Sequence, residues 1–415
     1  MRISYLLSGF GHTGGSIVLY KFMDKLCERG YEVFAITPSE RIRWRQNFSN
    51  EITKNLYAPK KGFSKTDYFK NSLFYKSAKK IILRDPILRK IVYSLIKRPL
   101  QEPVQQIQSL IKGLIKNWIE SEITISTFCT TAYAAYLLMD RTIPLYHMQA
   151  YEELFFEDEV MQKLARLTYY LPLILLSNSS WLKEQITKRQ GRNSYLINPG
   201  IDNSVFYPRV NLEEKYRHPT KFTIVSYYSP ARLKGWNDAI KAMEIVFKKY
   251  GDEKIKWVVF GGRPSCKPDL PINFVGRVFG DSLACLYSNA YIVFMNSWYE
   301  SFPLPPIEAM ASGTAVVTTQ IGTEDYAYDG KNAIVIPPKK PEVLAEAIVK
   351  LIEDPPFAYS LALKGVETAR KFTWDVAADR LEEIINISVK IYQRDKFADI
   401  PKFISGVFAN EEEAN

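Results

Sequence analysis

Two glutamates, Glu300 and Glu308, stand in the run Ser297-Trp298-Tyr299-Glu300-Ser301-Phe302-Pro303-Leu304-Pro305-Pro306-Ile307-Glu308-Ala309-Met310-Ala311-Ser312-Gly313. An apolar stretch precedes the run, and its second half has the composition of a helix. In open α/β sheets ligands bind at the carboxyl ends of strands, which is where Glu300 would sit. Glu308 would lie in the helix that follows, about two turns away at most. A loop entering a helix N-terminus also offers backbone N–H groups to an anion. Paired acids at this spacing occur by chance on many surface helices. The context here is more specific: a strand before, a proline-rich turn between, and another strand, Ala315–Thr319, behind.

The elements that must hold these residues follow from the pattern of the whole chain. Short apolar runs alternate with helical periods, the signature of a parallel α/β sheet. Strands are expected at 2–8, 31–37, 123–127, 144–148, 173–179 and 195–198. A second set is expected at 222–228, 256–260, 273–275, 291–296, 315–319 and 333–336. The rhythm restarts near residue 220, so two doubly wound units are predicted. The first covers 1–203 with a C-terminal tail at about 390–415, and the second covers 204–389. The polar stretch from Ile201 to Pro219 reads as the linker. Trp374 to Tyr392 reads as a long helix ahead of an acidic tail. One region, about 60–120, breaks the rhythm. Asp85-Pro86 opens one amphipathic helix, with apolar residues at Ile87, Leu88, Ile91, Val92, Leu95 and Ile96. A second stripe runs through Ile107, Leu110, Ile111, Leu114, Ile115 and Trp118.

At the Glu300–Gly313 run the chain strongly resembles the retaining family 4 glycosyltransferases of the GT-B architecture, whose hallmark is Glu-x7-Glu, its second glutamate opening Glu-Ala-Met-Ala-x-Gly. The resemblance spans nearly the whole chain. Asn198-Pro199-Gly200-Ile201-Asp202 with Phe206 and Pro208 is similar to the family linker. Gly14-Gly15 is similar to its glycine loop, Ala231-Arg232-Leu233-Lys234-Gly235 to its Arg and Lys-Gly segment, and Gly322-Thr323-Glu324-Asp325 to its G-x-x-E turn. The basic insertion has no obvious counterpart.

The resemblance implies two Rossmann-like doubly wound domains facing across a cleft, and a retaining, metal-independent transfer from a nucleotide-sugar. It implies that Lys234 and Arg232 stabilise the leaving diphosphate. Gly14 and Gly15 would allow close approach of the donor, Glu300 would bind hydroxyls of the donor sugar and Glu308 those of the ribose. Phe302 and Leu304 belong to the donor loop, and Leu304 keeps an N–H for a phosphate. His147, at a strand end in His147-Met148-Gln149, matches a position close to the sugar; His12 is a weaker candidate for the acceptor. Two departures stand out. The family places its Arg about five positions before the Lys, which here is Ser229. Proline at 303 replaces a common glycine and removes a backbone donor. Tyr227, Tyr228, Trp236 and Trp298 could stack on a base or sugar, or simply pack.

The chain has 415 residues and a net charge of +10. From Lys60 to Lys116, 14 basic residues face three acids, so this segment carries +11 and the remainder is nearly neutral. A local field of this kind attracts anions. The insertion is therefore expected either to pack on the protein or to touch acceptor or an anionic membrane surface. Four dispersed cysteines without C-x-x-C argue against a zinc or redox site. No cofactor or metal cluster is expected. No apolar run approaches a membrane span, so a cytoplasmic protein is expected, peripheral to the membrane at most. Two other readings compete: a nucleotide-sugar epimerase of the same architecture, and a non-catalytic anion or nucleic-acid binder. Confinement of the charge to one insertion, with no nucleic-acid motif, weighs against the last. The expected partners are a nucleotide-sugar and a saccharide, glycan or lipid-linked acceptor.

Overall fold

The computed structural model describes residues 1–11, 14–45, 48–49, 102–217, 219, 221–264 and 268–394. The first insertion helix expected after Asp85, together with His12, His218 and the acidic tail, lies outside the described residues. The chain divides into two compact units: Met1–Leu176 with Ile186–Tyr195 and Glu382–Asn415, and Ser177–Gln185 with Leu196–Leu381. The sequence expectation had placed these boundaries at 203/204 and 389/390.

The first sheet contains β1 (Arg2–Leu6), β2 (Glu32–Ile36), β3 (Arg41–Arg43), β4 (Ile123–Ser126), β5 (Ile143–Met148), β6 (Ile174–Ser177) and β7 (Tyr195–Leu196), in the order β3-β2-β1-β4-β5-β6-β7. β1 pairs in parallel with both β2 and β4, and only β3 is recorded as antiparallel to its neighbour. The second sheet contains β8 (Phe222–Tyr228), β9 (Ile255–Gly261), β10 (Ile272–Gly276), β11 (Ile292–Met295), β12 (Ala315–Thr319) and β13 (Ile334–Ile336), in the order β10-β9-β8-β11-β12-β13. All its recorded pairings are parallel. Strands covered on both faces are apolar at successive positions rather than alternate ones. In β11, Val293 packs on one side, while Ile292 and Phe294 pack on the other.

Each sheet reverses its winding once, between β1 and β4 and between β8 and β11. Such reversals leave a crevice at the carboxyl edge where crossover helices diverge to opposite faces. Chemistry is therefore expected on the loops after β8 and β11.

Two expectations need correction, and of the alternatives for the insertion the described helix meets the first, packing on the protein. β3 escaped the sequence reading because Arg-Ile-Arg has no apolar run. The expected linker is not unstructured: Leu212–Arg217 is a short helix. Its Tyr216 is buried, donates to Tyr291 O at 3.0 Å and accepts from Ala315 N at 2.8 Å. The second amphipathic stripe, helix Glu102–Asn117, turns its apolar side onto the protein. Ile107 and Leu114 are buried, as is Trp118 just beyond the helix. A Cβ on Gly113 would fall 2.5 Å from Pro38 O, so this helix lies directly on the turn after β2.

Candidate active site

The loop after β8 turns through the short 3-10 segment Arg232–Lys234 and enters helix Trp236–Lys254 at Gly235. Gly235 has φ 67°, and a Cβ there would lie 2.5 Å from Asn296 O. Glycine is required twice, for the left-handed backbone and for the contact. Asn296 Nδ2 donates back to Gly235 O at 2.7 Å, and Trp298 N donates to Leu233 O at 2.7 Å. The β8 and β11 loops are thus stitched backbone to backbone. As a result Lys234 Nζ donates to Glu300 Oε1 in a close ion pair. Both side chains are partly shielded, with 26% and 16% of their surface exposed, so water weakens the pair only in part.

Glu300 is clamped from its other side by Gly322. At φ 84°, a Cβ on Gly322 would meet Glu300 O at 2.5 Å. Ser301 Oγ donates to Asn178 Oδ1, and Tyr326 OH donates to Pro303 O at 2.7 Å. Phe302 is buried with its ring centroid 5.1 Å from that of Tyr326. Phe302 therefore supports the loop from beneath.

Helix Leu304–Ala311 begins after Pro303, with prolines also at its second and third positions. A helix normally presents four free N–H groups at its start. Three of those residues here are proline, so Leu304 alone keeps a donor. An anion at this site must depend on side-chain cations more than on the helix end. Glu308, one turn on, is half-buried, and burial pushes its carboxyl up to about 8. Near neutral pH it can donate a hydrogen bond as well as accept one.

Arg232 does not join the Lys234–Glu300 pair. Its guanidinium lies 5.4 Å from the centre of the Trp298 ring, and Lys339 Nζ lies 4.6 Å from the same centre. Trp298 Nε1 donates to Asp238 Oδ2 at 2.6 Å. Lys339 was not singled out from the sequence; its one signal is the pair Lys339-Lys340 standing where a helix cap is expected, just before Pro341.

In the first unit, Gly14 and Gly15 start helix Gly14–Glu28. Neither has a positive φ, and a Cβ on Gly14 would meet nothing within 4 Å. The backbone does not demand glycine at 14, but the space there is open. His147 lies within β5 and is fully buried, with no hydrogen-bond partner for either ring nitrogen among the described residues. Burial lowers its pKa to about 3, so the imidazole is neutral. It packs edge-on against Phe22 rather than standing at an open strand end. Sequence reasoning missed Glu152, also fully buried, whose Oε2 accepts from Cys129 N at 2.5 Å. Burial pushes this carboxyl to about 8. Among the described residues no three His, Cys, Asp or Glu side chains gather to hold a metal, and no helix is long and apolar enough to cross a membrane.

Residues 219–354, which contain Arg232, Lys234, Glu300, Glu308 and Lys339, match the family described as Glycosyl transferases group 1. The chain is 26% identical over 211 residues to a D-inositol 3-phosphate glycosyltransferase of Corynebacterium urealyticum, covering 46% of this chain and 50% of the relative. The Corynebacterium diphtheriae protein of the same description is 35% identical over 105 residues, 25% of each chain. The chain thus spans about half the length, or less, of these curated relatives. Among solved structures, sucrose-phosphate synthase from Thermosynechococcus elongatus superposes with a TM-score of 0.64 at 16% identity, over 95% of this chain and 100% of that one. Anabaena HepE in complex with UDP-glucose superposes at 0.65 and 15% identity, over 93% and 99%. These likenesses establish the GT-B fold.

Proposed function

Because this chain has the GT-B fold and carries a group 1 glycosyltransferase domain across residues 219–354, we propose that it transfers a sugar from a nucleotide-sugar donor to a saccharide or glycan acceptor, with retention and without a metal. The observation that carries this reading is the Lys234–Glu300 pair, formed by two loops at the reversal point of the second sheet. Breaking the bond between the anomeric carbon and the diphosphate places negative charge on the leaving oxygen. A preorganised ammonium lowers that barrier, and removing one such donor typically costs on the order of 10²–10³ in rate. Glu300 positions that ammonium and accepts from hydroxyls of the transferred sugar. Glu308 holds the ribose hydroxyls. The acceptor oxygen bonds the anomeric carbon on the face the diphosphate leaves, and its proton passes to a phosphate oxygen of the leaving group. The neutral, buried His147 serves in this reading as a packing residue against Phe22 rather than a proton carrier.

Anionic membrane contact is part of the proposal only for residues 60–101, since the apolar side of helix Glu102–Asn117 is already covered by protein.

A thermal-shift panel of nucleoside diphosphates and nucleotide-sugars, run with chelator, tests the reading. UDP-glucose, the ligand in the HepE structure, is the first donor to try. A ligand that binds only the folded state raises the melting temperature. Stabilisation of the wild type that fades in Glu308→Ala is expected. No shift with any nucleotide, with or without divalent metal, would sink it.

A further inference from the structure

Lys339 has φ 60° and is the one non-glycine residue with positive φ among the described residues. An L side chain is disfavoured in this conformation, which glycine adopts freely. Lys340, next along, caps helix Pro341–Glu353 without any side-chain bond to it. Ser, Thr, Asp or Asn is favoured at that position, and a cation there opposes the positive end of the helix dipole. Two consecutive lysines therefore stand against local preference, and such conflicts concentrate where function is served.

Both lysines are exposed, at the carboxyl edge of the second sheet. Lys339 shares the Trp298 ring with Arg232, so the two cations lie within about 10 Å of each other by the two ring distances. Neither Arg232, Lys339 nor Lys340 has a recorded carboxylate partner among the described residues. Asp238, the acid beside them, is engaged by the indole N–H. Lys234, two residues from Arg232, is already neutralised by Glu300. An aromatic ring thus assembles cations that no acid discharges, which leaves their N–H donors available.

We propose that Arg232 and Lys339, gathered on Trp298, form with Lys340, next along the chain, a binding site for an oxyanion, a phosphate or carboxylate, carried by a saccharide ligand. That the carrier is a saccharide rests on the function proposed above; that the site takes an oxyanion rests on the geometry alone. Two sources share this chemistry: the phosphates of the donor, and an acidic group on the acceptor.

The indole N–H resonance of Trp298, one of seven tryptophans, is a local reporter and is assigned by its loss in Trp298→Phe. Glucose 6-phosphate and inorganic pyrophosphate are titrated, with glucose as the neutral control. The anions should move this resonance and glucose should not. Lys339→Gln should weaken the response at least five-fold, and Lys339→Arg should restore it. Lys339→Gly relieves the backbone conformation, so its melting temperature should rise while the response falls. Saturating UDP assigns the source: abolition of the glucose 6-phosphate response points to the donor phosphates, persistence to an acidic acceptor. No response to either anion, or a response in Lys339→Gln and Lys339→Gly as strong as in the wild type, overturns the proposal. Because glucose 6-phosphate needs no nucleotide site, this result is separable from failure of the nucleotide panel.

Discussion

Lys234 and Glu300 neutralise each other in the absence of ligand. A developing diphosphate competes for the same ammonium, so Glu300 both aims the cation and limits its charge. Lys234→Met should lower kcat by roughly 10²–10³, with thermal stability within a few degrees of wild type, by steady-state kinetics and melting. Retention of full activity in Lys234→Met would remove the pair from the mechanism. The buried acid of the first unit has a different consequence. Glu152 titrates at about 8 in the fold against an ordinary 4.5. A folded-state value above the unfolded one means that stability is full below about 4.5, declines as pH rises, and is lost once pH passes 8. Wild type should therefore be less stable at pH 8.5 than at pH 6 in urea titrations. Glu152→Gln should flatten that difference, and an unchanged slope would show that Glu152 is not its source. Glu308 titrates in the same range. Nucleotide affinity should therefore change between pH 7 and 9 in wild type, and Glu308→Gln should abolish that change.

At the scale of elements, the site depends on two glycines that let loops touch. Gly235→Ala and Gly322→Ala each add a Cβ where backbone oxygen already sits at 2.5 Å, at φ 67° and 84°. Each should cost at least about 1–3 kcal/mol and reduce kcat together with stability, as read by denaturant midpoint and initial rates. Gly14→Ala meets open space and should leave stability nearly unchanged. Most elements were legible because strands buried on both faces announce themselves as apolar runs; Phe222–Tyr228 and Ala315–Thr319 were read to the residue. The Arg41–Arg43 strand and the Leu212–Arg217 helix were not, because their partners lie elsewhere in the chain. Lys215 illustrates the reason: a lysine reads as surface, yet this one is half-buried and donates to Ser288 O and Gly313 O at 3.0 and 2.9 Å. The candidate site divides in the same way. The glutamates and Lys234 each follow from local sequence within their own loop. The gathering of Arg232 and Lys339 on Trp298 joins three separate loops and has no periodic signature. The burial of His147 was hidden because a residue at a strand end reads as open until its neighbours are known.

At the scale of the whole molecule, charge is segregated. The site-bearing second unit is held by packing on both sheet faces, while the basic surplus falls in residues 60–116. Replacing Lys76, Lys79, Lys80, Arg89 and Lys90 by Glu should abolish flotation with anionic liposomes at low salt and leave nucleotide binding intact. Equal flotation before and after the change would rule out this segment as the membrane contact. The final helix, Trp374–Arg394, has a further consequence. Its first residues belong to the second unit and its remainder, from Glu382, to the first. Glu382 receives Arg29 Nη1 at 2.8 Å and Tyr31 OH at 2.7 Å, immediately ahead of β2. During synthesis these partners emerge more than three hundred residues apart. The first sheet must therefore wait with one flank unfinished until Glu382 has been made, while the second unit has all its own residues by Leu381. A chain stopped at Leu381 should keep a folded second unit and expose its first to proteolysis, so the helix Trp374–Arg394 acts as the completion signal for a sheet whose first strand was made long before it.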